Sequence, residues 1–329
     1  MPKLTCGVAL ITYNGLKYLP QQLDSIVSQT RAVDHIVISD DGSTDGTLDY
    51  LETWSKQCGI PVTLLRNVKQ YGLIQNFERA ASAVDADIIF ASDQDDVWLP
   101  QKVELLAAMF EAQPDLQLVH TDAILVDANG SDMGTFLFAE LGVTDAERSA
   151  IHSGEAFSVF CRRNLVTGAT AAFRRTLLEL ARPLPATTYH DAWLALIASA
   201  TGKVRLLDTP TIHYRQHGSN MVGVKKLGPL AKMRRFYWAI NNKRPLSATV
   251  SRIISLRTEL YARLSAYPAV ARPRLALAKE ALDFAQYRAA LPGNPVLRTG
   301  AVLHKLSAGQ YSKFSDDTWS DALRDLLRK

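Results

Sequence analysis

The sequence predicts an α/β fold on a mostly parallel sheet, continued by a basic, mainly helical C-terminal region. Three observations lead there. Short apolar runs alternate with amphipathic helical stretches through the first 130 residues, the pattern of βαβ units. Acidic clusters follow two of those runs, where an open parallel sheet binds ligands. The charge also changes sign along the chain: residues 222–329 carry 20 Lys and Arg against 7 Asp and Glu, whereas residues 1–221 carry 17 against 26. That shift predicts a first domain over 1–222 and a second over 223–329 with opposite electrostatic roles, divided near Val222-Gly223-Val224-Lys225-Lys226.

The elements follow in order. Gly7–Thr12 is an apolar, partly β-branched run ended by the turn-like Tyr13-Asn14-Gly15, and it reads as a buried strand. Leu16, Leu19, Leu23, Ile26 and Val27 then recur at helical spacing. His35–Ser39 is a second strand, followed by a polar loop and a helix from about Thr47 to Cys58. Val62–Leu65 is a third strand, residues 74–84 a third helix and Asp87–Ala91 a fourth strand. Pro100 opens a helix with Val103, Leu106, Ala107 and Phe110 on one face. Leu116–Thr121 and Ala123–Val126 are expected to pair locally, with Asp127-Ala128-Asn129-Gly130 as turn chemistry. Residues 131–165 are less regular. A helix is expected over Asp191–Ala200, then two short strands, Val204–Leu207 and Thr211–Arg215. From about residue 229 the tail reads as helical, interrupted at Pro245, Pro268, Pro273, Pro292 and Pro295.

The 329 residues are 47% hydrophobic and 21% charged, enough apolar material for a core, which excludes a disordered, collagenous or fibrous chain. Cys6, Cys58 and Cys161 lie far apart with no CxxC. Neither a structural zinc site nor a disulfide scaffold is expected, and a reducing cytoplasm is. The opening Met1-Pro2-Lys3-Leu4 lacks the apolar stretch of a signal peptide, and no run approaches 18 apolar residues, so no membrane span is expected.

The chemistry concentrates in two acidic clusters. Asp40, Asp41 and Asp45 follow the second strand; Asp93, Asp95 and Asp96 follow the fourth. Carboxylates crowded at one sheet edge repel unless a cation or a hydrogen-bonding ligand compensates. Helix capping by Ser43, Thr44 or Asp45 accounts for one or two residues of the first cluster, not for the Asp40-Asp41 pair. Hard oxygen donors spaced Asp-x-Asp suit Mg²⁺ or Mn²⁺, held through one or two carboxylates and substrate phosphates. A solvated loop is the competing reading of that stretch.

Thr12-Tyr13-Asn14, the Asp40-Asp41-Gly42-Ser43-Thr44-Asp45 loop and Asp93-Gln94-Asp95-Asp96 together resemble family-2 glycosyltransferases of the GT-A fold, over about residues 4–222. The resemblance implies an inverting, Mg²⁺- or Mn²⁺-dependent transferase using a nucleotide-diphosphate sugar. It implies Asp41 on the pyrimidine base, Asp93 on the ribose and sugar side, Asp95 on the metal, and Thr12, Tyr13 and Asn14 along the nucleotide pocket. The family's next landmark is a carboxylate at a helix start about 100 residues on, here Asp191 in Tyr189-His190-Asp191-Ala192-Trp193. Single displacement needs a general base there, to take the acceptor hydroxyl's proton as it attacks the anomeric carbon. A helix-start carboxylate favoured by the macrodipole is the structural reading of the same residue. Many relatives carry Glu-Asp where this sequence has His190-Asp191.

Tyr214-Arg215-Gln216-His217-Gly218-Ser219-Asn220 resembles the Tyr-Arg-x-His-x-x-Asn stretch of bacterial rhamnosyltransferase-like members. That implies diphosphate contacts from Arg215 and His217, with His217 as a further metal ligand, and favours dTDP-L-rhamnose as donor over UDP-hexoses. Gly168 and Thr170 match positions that shape the sugar and acceptor side. Trp98 and Trp193 are candidate sugar-stacking faces or core residues. Bacterial surface polysaccharide, including the O-antigen of lipopolysaccharide, is the implied product class. The rival readings are a metal-dependent phosphohydrolase or nucleotidyltransferase and a non-catalytic nucleotide-sugar-binding protein. Against the first rival, the opening strand ends without an Asp nucleophile and no GxGxxG is present.

In the tail, Lys225, Lys226, Lys232, Arg234, Arg235, Lys243 and Arg244 surround Phe236, Tyr237 and Trp238. Such a stretch suits a membrane surface. Nucleic acid could use the same charges, but the resemblance favours a lipid-linked acceptor at the inner face of the cell membrane. A helical bundle packed on the first domain, or on another subunit in a homo-oligomer, is the other reading.

Overall fold

The computed structural model describes residues 3–218, 246–267 and 270–327. The chain divides into two compact units, Met1–Gly154 with Leu165–Val224, and Glu155–Asn164 with Lys225–Lys329. The boundary expected near 222–230 lies outside the described residues, as do Ser219, Asn220 and the basic-aromatic stretch 225–244.

In the first unit, β1 (Cys6–Thr12), β2 (His35–Asp40), β3 (Val62–Arg66) and β4 (Ile88–Ser92) form a parallel half-sheet, alternating with α1 (Leu19–Val27), α2 (Thr47–Ser55) and α3 (Leu73–Ala83). β1 lies between β2 and β4 and is buried along its whole length. This is why it reads as an unbroken apolar run rather than an alternating one. The chain continues through β5 (Val97–Trp98), α4 (Lys102–Ala112), β6 (Leu116–Val126), β7 (Asp132–Phe136), α5 (Leu137–Glu140) and α6 (Asp145–His152). After α7 (Ala156–Arg162) come β8 (Ala171–Arg174), α8 (Arg175–Ala181), α9 (His190–Thr201) and β9 (Lys203–Arg215). The nine strands are ordered β3-β2-β1-β4-β8-β6-β9-β5, with β7 beside β6. β8 runs antiparallel to both β4 and β6, whereas β9 runs parallel to β6. The carboxyl ends of β1, β2, β4 and β9 and the start of β8 therefore share one edge of the sheet.

Two strand expectations are corrected. Residues 116–121 and 123–126 do not pair with each other: they are one continuous strand, β6. The Asp127–Gly130 turn instead returns the chain to β7, with Gly130 N–H bonded to Asp127 O. Residues 204–207 and 211–215 likewise join into the 13-residue β9. Asp208, Thr209 and Pro210 look like a break, but the β6–β9 register shifts between Thr121 and Asp122 and absorbs them.

Among the described residues the second unit is helical, with α7, α10 (Leu246–Ser265), α11 (Arg272–Ala289), α12 (Pro295–Ser307), α13 (Gln310–Phe314) and α14 (Thr318–Leu327). Pro273 and Pro295 fall in the first turns of α11 and α12 rather than interrupting them, because an N–H is not needed there. Asn294 caps α12 by accepting the Val296 and Leu297 N–H groups. Arg257 ties α7 into this unit, donating to the carbonyls of Cys161, Ala281 and Phe314. Asp325, fully buried, accepts from Arg288 Nε (2.6 Å) and the Tyr311 hydroxyl (2.7 Å). No sequence signal pointed to the placement of Glu155–Asn164 with the tail.

Candidate active site

The β1 and β2 ends are laced together by short polar bonds. Asp40 is fully buried and works as an anchor: Oδ1 accepts the Gly42 and Ser43 N–H groups, and Oδ2 accepts the Thr12 and Ser43 hydroxyls. Thr12 is thereby buried, whereas Tyr13 and Asn14 are exposed. Asn14 adopts φ +49°, and its side-chain oxygen accepts the Thr44 N–H at 2.8 Å, the local bonding that lets Asn hold this conformation. Asp45 is the residue that ties the entry of α2, accepting from the N–H and hydroxyl of Thr47 and from the Leu16 N–H.

Asp41 turns the other way. Its carboxylate accepts Asn67 Nδ2 (2.8 Å), Tyr71 N–H (2.7 Å) and Gly72 N–H (2.9 Å). An ionised carboxylate offers about four acceptor positions, so one remains on Oδ2. One lone pair suffices for the imide N–H of a pyrimidine base.

The β4 loop is joined to the β1 loop by Gln94, which accepts the Tyr13 N–H and donates to the Tyr13 carbonyl. Gly15 must be glycine for this, since a Cβ there would lie 2.1 Å from the Gln94 Oε1. Asp93 and Asp95 are half-buried and Asp96 is buried. Burial, then repulsion from Asp95 and Asp191, pushes the Asp93 carboxyl up to about 7. Burial also raises Asp96, whose Oδ1 accepts the Arg215 N–H (3.0 Å) while Oδ2 has no hydrogen-bond partner among the described residues. The Asp95 carboxylate meets His217 Nε2 at 2.8 Å, and the His217 ring stacks on Tyr18 at 4.9 Å between centroids.

Arg215 is buried beneath this loop rather than spread over it. Nε donates to the Asp95 carbonyl (2.8 Å), Nη2 to Gln21 (2.8 Å) and Nη1 to the Ala128 carbonyl, with the guanidinium 4.8 Å from the Tyr18 ring centroid. Its bonds hold the main chain that carries Asp95. Trp98 and Trp193 are core residues, not sugar platforms. They are 3% and 0% exposed, with Trp98 against Phe90 and the Trp193 Nε1 donating to the Ala181 carbonyl.

Across the sheet edge, Asp191 opens α9. Oδ2 accepts the Gly168 N–H (3.1 Å) and Oδ1 the Ala192 N–H (2.6 Å), so the carboxylate is fixed on both oxygens. Gly168 leads into β8, which pairs antiparallel with β4, so the Asp191 carboxylate lies at the same sheet edge as the loop that carries Asp93. His190, beside it, stacks on Phe77 at 3.9 Å, and a Cβ at Gly168 would lie 2.6 Å from its Nε2. Burial pushes His190 down to about 4, so it is neutral at pH 7 and packs rather than exchanges protons.

One residue here was missed by the sequence reading. Lys102 is fully buried, its Nζ 2.6 Å from the Ala169 carbonyl and 3.9 Å from the Trp98 ring centroid. The signal was available, because Lys102 lies on the same helical face as Val103, Leu106 and Phe110, a stripe otherwise apolar. The donor set fits a divalent ion: Asp95 and His217 offer carboxylate oxygen and imidazole nitrogen, a mixture more suited to Mn²⁺ than to Mg²⁺. A cation would also relieve the carboxylate repulsion. Among the described residues no three His, Cys, Asp or Glu side chains meet as a complete cage. Substrate oxygens and water would complete the coordination.

The family model for glycosyl transferase family 2 matches residues 8–180. The dTDP-rhamnosyl transferase RfbG of Shigella flexneri is 28% identical over 222 residues, covering 65% of this chain and 73% of that protein. An uncharacterized glycosyltransferase of Nostoc sp. is 25% identical over 219 residues, and the match spans 65% of its length, just under two thirds. Among solved structures, residues 1–349 of TarS from S. aureus in complex with UDP-GlcNAc superpose with a TM-score of 0.55 at 15% identity, covering 98% of this chain and 90% of that one. The mannosyltransferase PcManGT from Pyrobaculum calidifontis in complex with GDP-Man and Mn²⁺ gives 0.51 at 19% identity, over 99% and 86%. At these identities the structures show a common fold.

Proposed function

Since the chain belongs to glycosyl transferase family 2 and carries the GT-A fold of those enzymes, we propose that it moves L-rhamnose from dTDP-L-rhamnose to a glycan or lipid-linked acceptor, with inversion, in bacterial surface-polysaccharide synthesis. The observation that carries the reading is the gathering of Asp41, Asp93, Asp95 and Asp191 at one sheet edge, on loops locked by Asp40, Gln94 and Arg215. The similarity to RfbG supports the choice of donor.

Asp41 accepts the N–H of the thymine base through the remaining lone pair of Oδ2, beside the Gly72 contact. Tyr13 and Asn14 flank the nucleoside, and Asp93 accepts from the deoxyribose 3′-hydroxyl on the sugar side. Asp95 and His217 are the residues that would hold Mn²⁺ or Mg²⁺; such an ion neutralises charge developing on the departing diphosphate. Asp191 takes the proton of the acceptor hydroxyl as its oxygen bonds to the anomeric carbon, and the carbon–oxygen bond to the diphosphate breaks on the opposite face. That geometry inverts the anomeric centre.

Among the described residues no helix is long and apolar enough to cross a membrane. The basic stretch 225–244 is proposed to meet the anionic inner leaflet, where a lipid-linked acceptor would be presented. A turnover assay tests the function: release of the nucleoside diphosphate should require both Mn²⁺ and an acceptor-containing lipid extract. Hydrolysis without any acceptor, as the only activity, would favour a phosphohydrolase, and donor binding without turnover would favour a non-catalytic protein.

A further inference from the structure

We propose that Lys102 is a positioning residue for the acceptor-side base, holding through the Ala169 carbonyl the turn whose Gly168 N–H fixes the Asp191 carboxylate. This rests on the glycosyltransferase reading above and assigns to it a residue outside the acidic motifs.

The geometry forms a continuous path. The Lys102 ammonium donates to the Ala169 carbonyl at 2.6 Å. Ala169 sits in the single turn Gly168–Thr170, and the adjacent Gly168 N–H donates to Asp191 Oδ2 at 3.1 Å. Moving Ala169 moves the peptide that orients the base. The path runs from the buried side chain to the base: Lys102 Nζ, the Ala169 carbonyl, the Gly168 N–H and the Asp191 carboxylate, which has to meet the acceptor hydroxyl as its oxygen reaches the anomeric carbon in line with the leaving diphosphate.

Stability alone does not account for an ammonium at this place. The side chain is fully buried on a helical face shared with Val103, Leu106 and Phe110. Taking an ammonium out of water is costly, and an apolar residue of similar length in its place is often neutral or stabilising. The single hydrogen bond and the contact with the Trp98 ring offset only part of that cost. A buried lysine that contributes little net stability, yet bonds the turn that fixes the base, is accounted for by positioning.

The test is a double-mutant cycle on the full chain with Lys102→Met and Asp191→Asn, read as kcat, donor Kd and melting temperature. Lys102→Met should lower kcat about 10- to 100-fold, the scale of a small misplacement of a reacting group. Donor Kd should stay within about threefold, and the melting temperature should hold or rise. In the Asp191→Asn background, adding Lys102→Met should change kcat by less than about twofold, because its effect runs through the base. Independent, multiplying effects would overturn the proposal, as would a Lys102→Met enzyme with wild-type kcat. Should Lys102→Met fail to fold, Lys102→Gln, which keeps a donor for Ala169, should hold kcat within about threefold of wild type, and a folded Lys102→Gln enzyme that loses more than about 10-fold would overturn the proposal. Absence of transfer by the wild-type protein is a different outcome: it would refute the functional reading itself.

Discussion

Replacing Asp191 by Asn preserves the side chain's shape and removes its capacity to take a proton. Two effects follow, and they separate by size and by observable. In the wild type both carboxylate oxygens accept a backbone N–H, from Gly168 and from Ala192. Asn has one oxygen, so its amide nitrogen faces one of those N–H groups and leaves it unpaired. A half-buried donor left without a partner costs about 1–2 kcal/mol, which for a unit of this size lowers the melting temperature by roughly 2–8 °C. The chemical effect is larger: general-base catalysis contributes about 10²–10⁴-fold, so kcat should fall by that factor. Donor Kd should barely move, because Asp41, Asp93 and Asp95, the residues proposed to hold the nucleotide, lie on other loops. The assay is single-turnover transfer at saturating donor, alongside donor titration and thermal melting of the same preparation. A variant that melts a few degrees lower yet turns over normally would show that Asp191 only organises the start of α9. The search for the base would then move to His217, since His190 is buried and neutral.

Three further outcomes are expected. Asp95→Ala should abolish turnover while leaving the melting temperature within a few degrees, since Arg215 holds that residue's carbonyl rather than its side chain; full activity in EDTA would remove the metal from the account. Burial holds the His120 imidazole neutral, down to about 3, so the unfolded chain binds the extra proton between about pH 3 and 6.5 and stability is lost as pH falls through that window. Wild type should therefore lose roughly 2–3 kcal/mol more than His120→Asn between pH 7.5 and 4.5, and parallel denaturation curves would contradict this. Replacing Lys225, Lys226, Lys232, Arg234 and Arg235 by Gln should release the protein from anionic vesicles at low salt, each cation contributing about 1 kcal/mol near such a surface; unchanged co-sedimentation would point to the helical-bundle reading instead.

The parallel half of the sheet was legible because its strands are buried on both faces and read as compact apolar runs between helices. β6 and β9 were not, because their bulges carry Asp122 and Asp208-Thr209-Pro210, which sequence patterns treat as turn chemistry. β8 has four residues and pairs antiparallel on both sides, too short for a periodic signal. The acidic motifs announced the site, but not which carboxylate does what within each pair. Asp40 and Asp41 are neighbours, yet one ties the loop from inside while the other keeps an acceptor position open, a distinction set by strand pleating and by Asn67 and Tyr71 far along the chain. The Tyr-Arg-x-His-x-x-Asn resemblance implied a diphosphate contact for Arg215; its burial under the Asp95 loop was not legible, because it depends on β9 reaching the same sheet edge. Lys102 was passed over because the helix face was read from its apolar members alone, Val103, Leu106, Ala107 and Phe110.

The central claim is that the gathered carboxylates form a metal-assisted nucleotide-sugar site. A thermal-shift screen of nucleotide sugars on the wild-type protein, each with Mn²⁺ and with EDTA, tests it most directly. Preferential binding to the folded state raises the melting temperature by mass action, so dTDP-L-rhamnose with Mn²⁺ should stabilise the protein most and EDTA should remove the shift. Stabilisation by a UDP-hexose instead would change the donor and keep the claim; equal shifts with and without metal, or none with any nucleotide sugar, would contradict it.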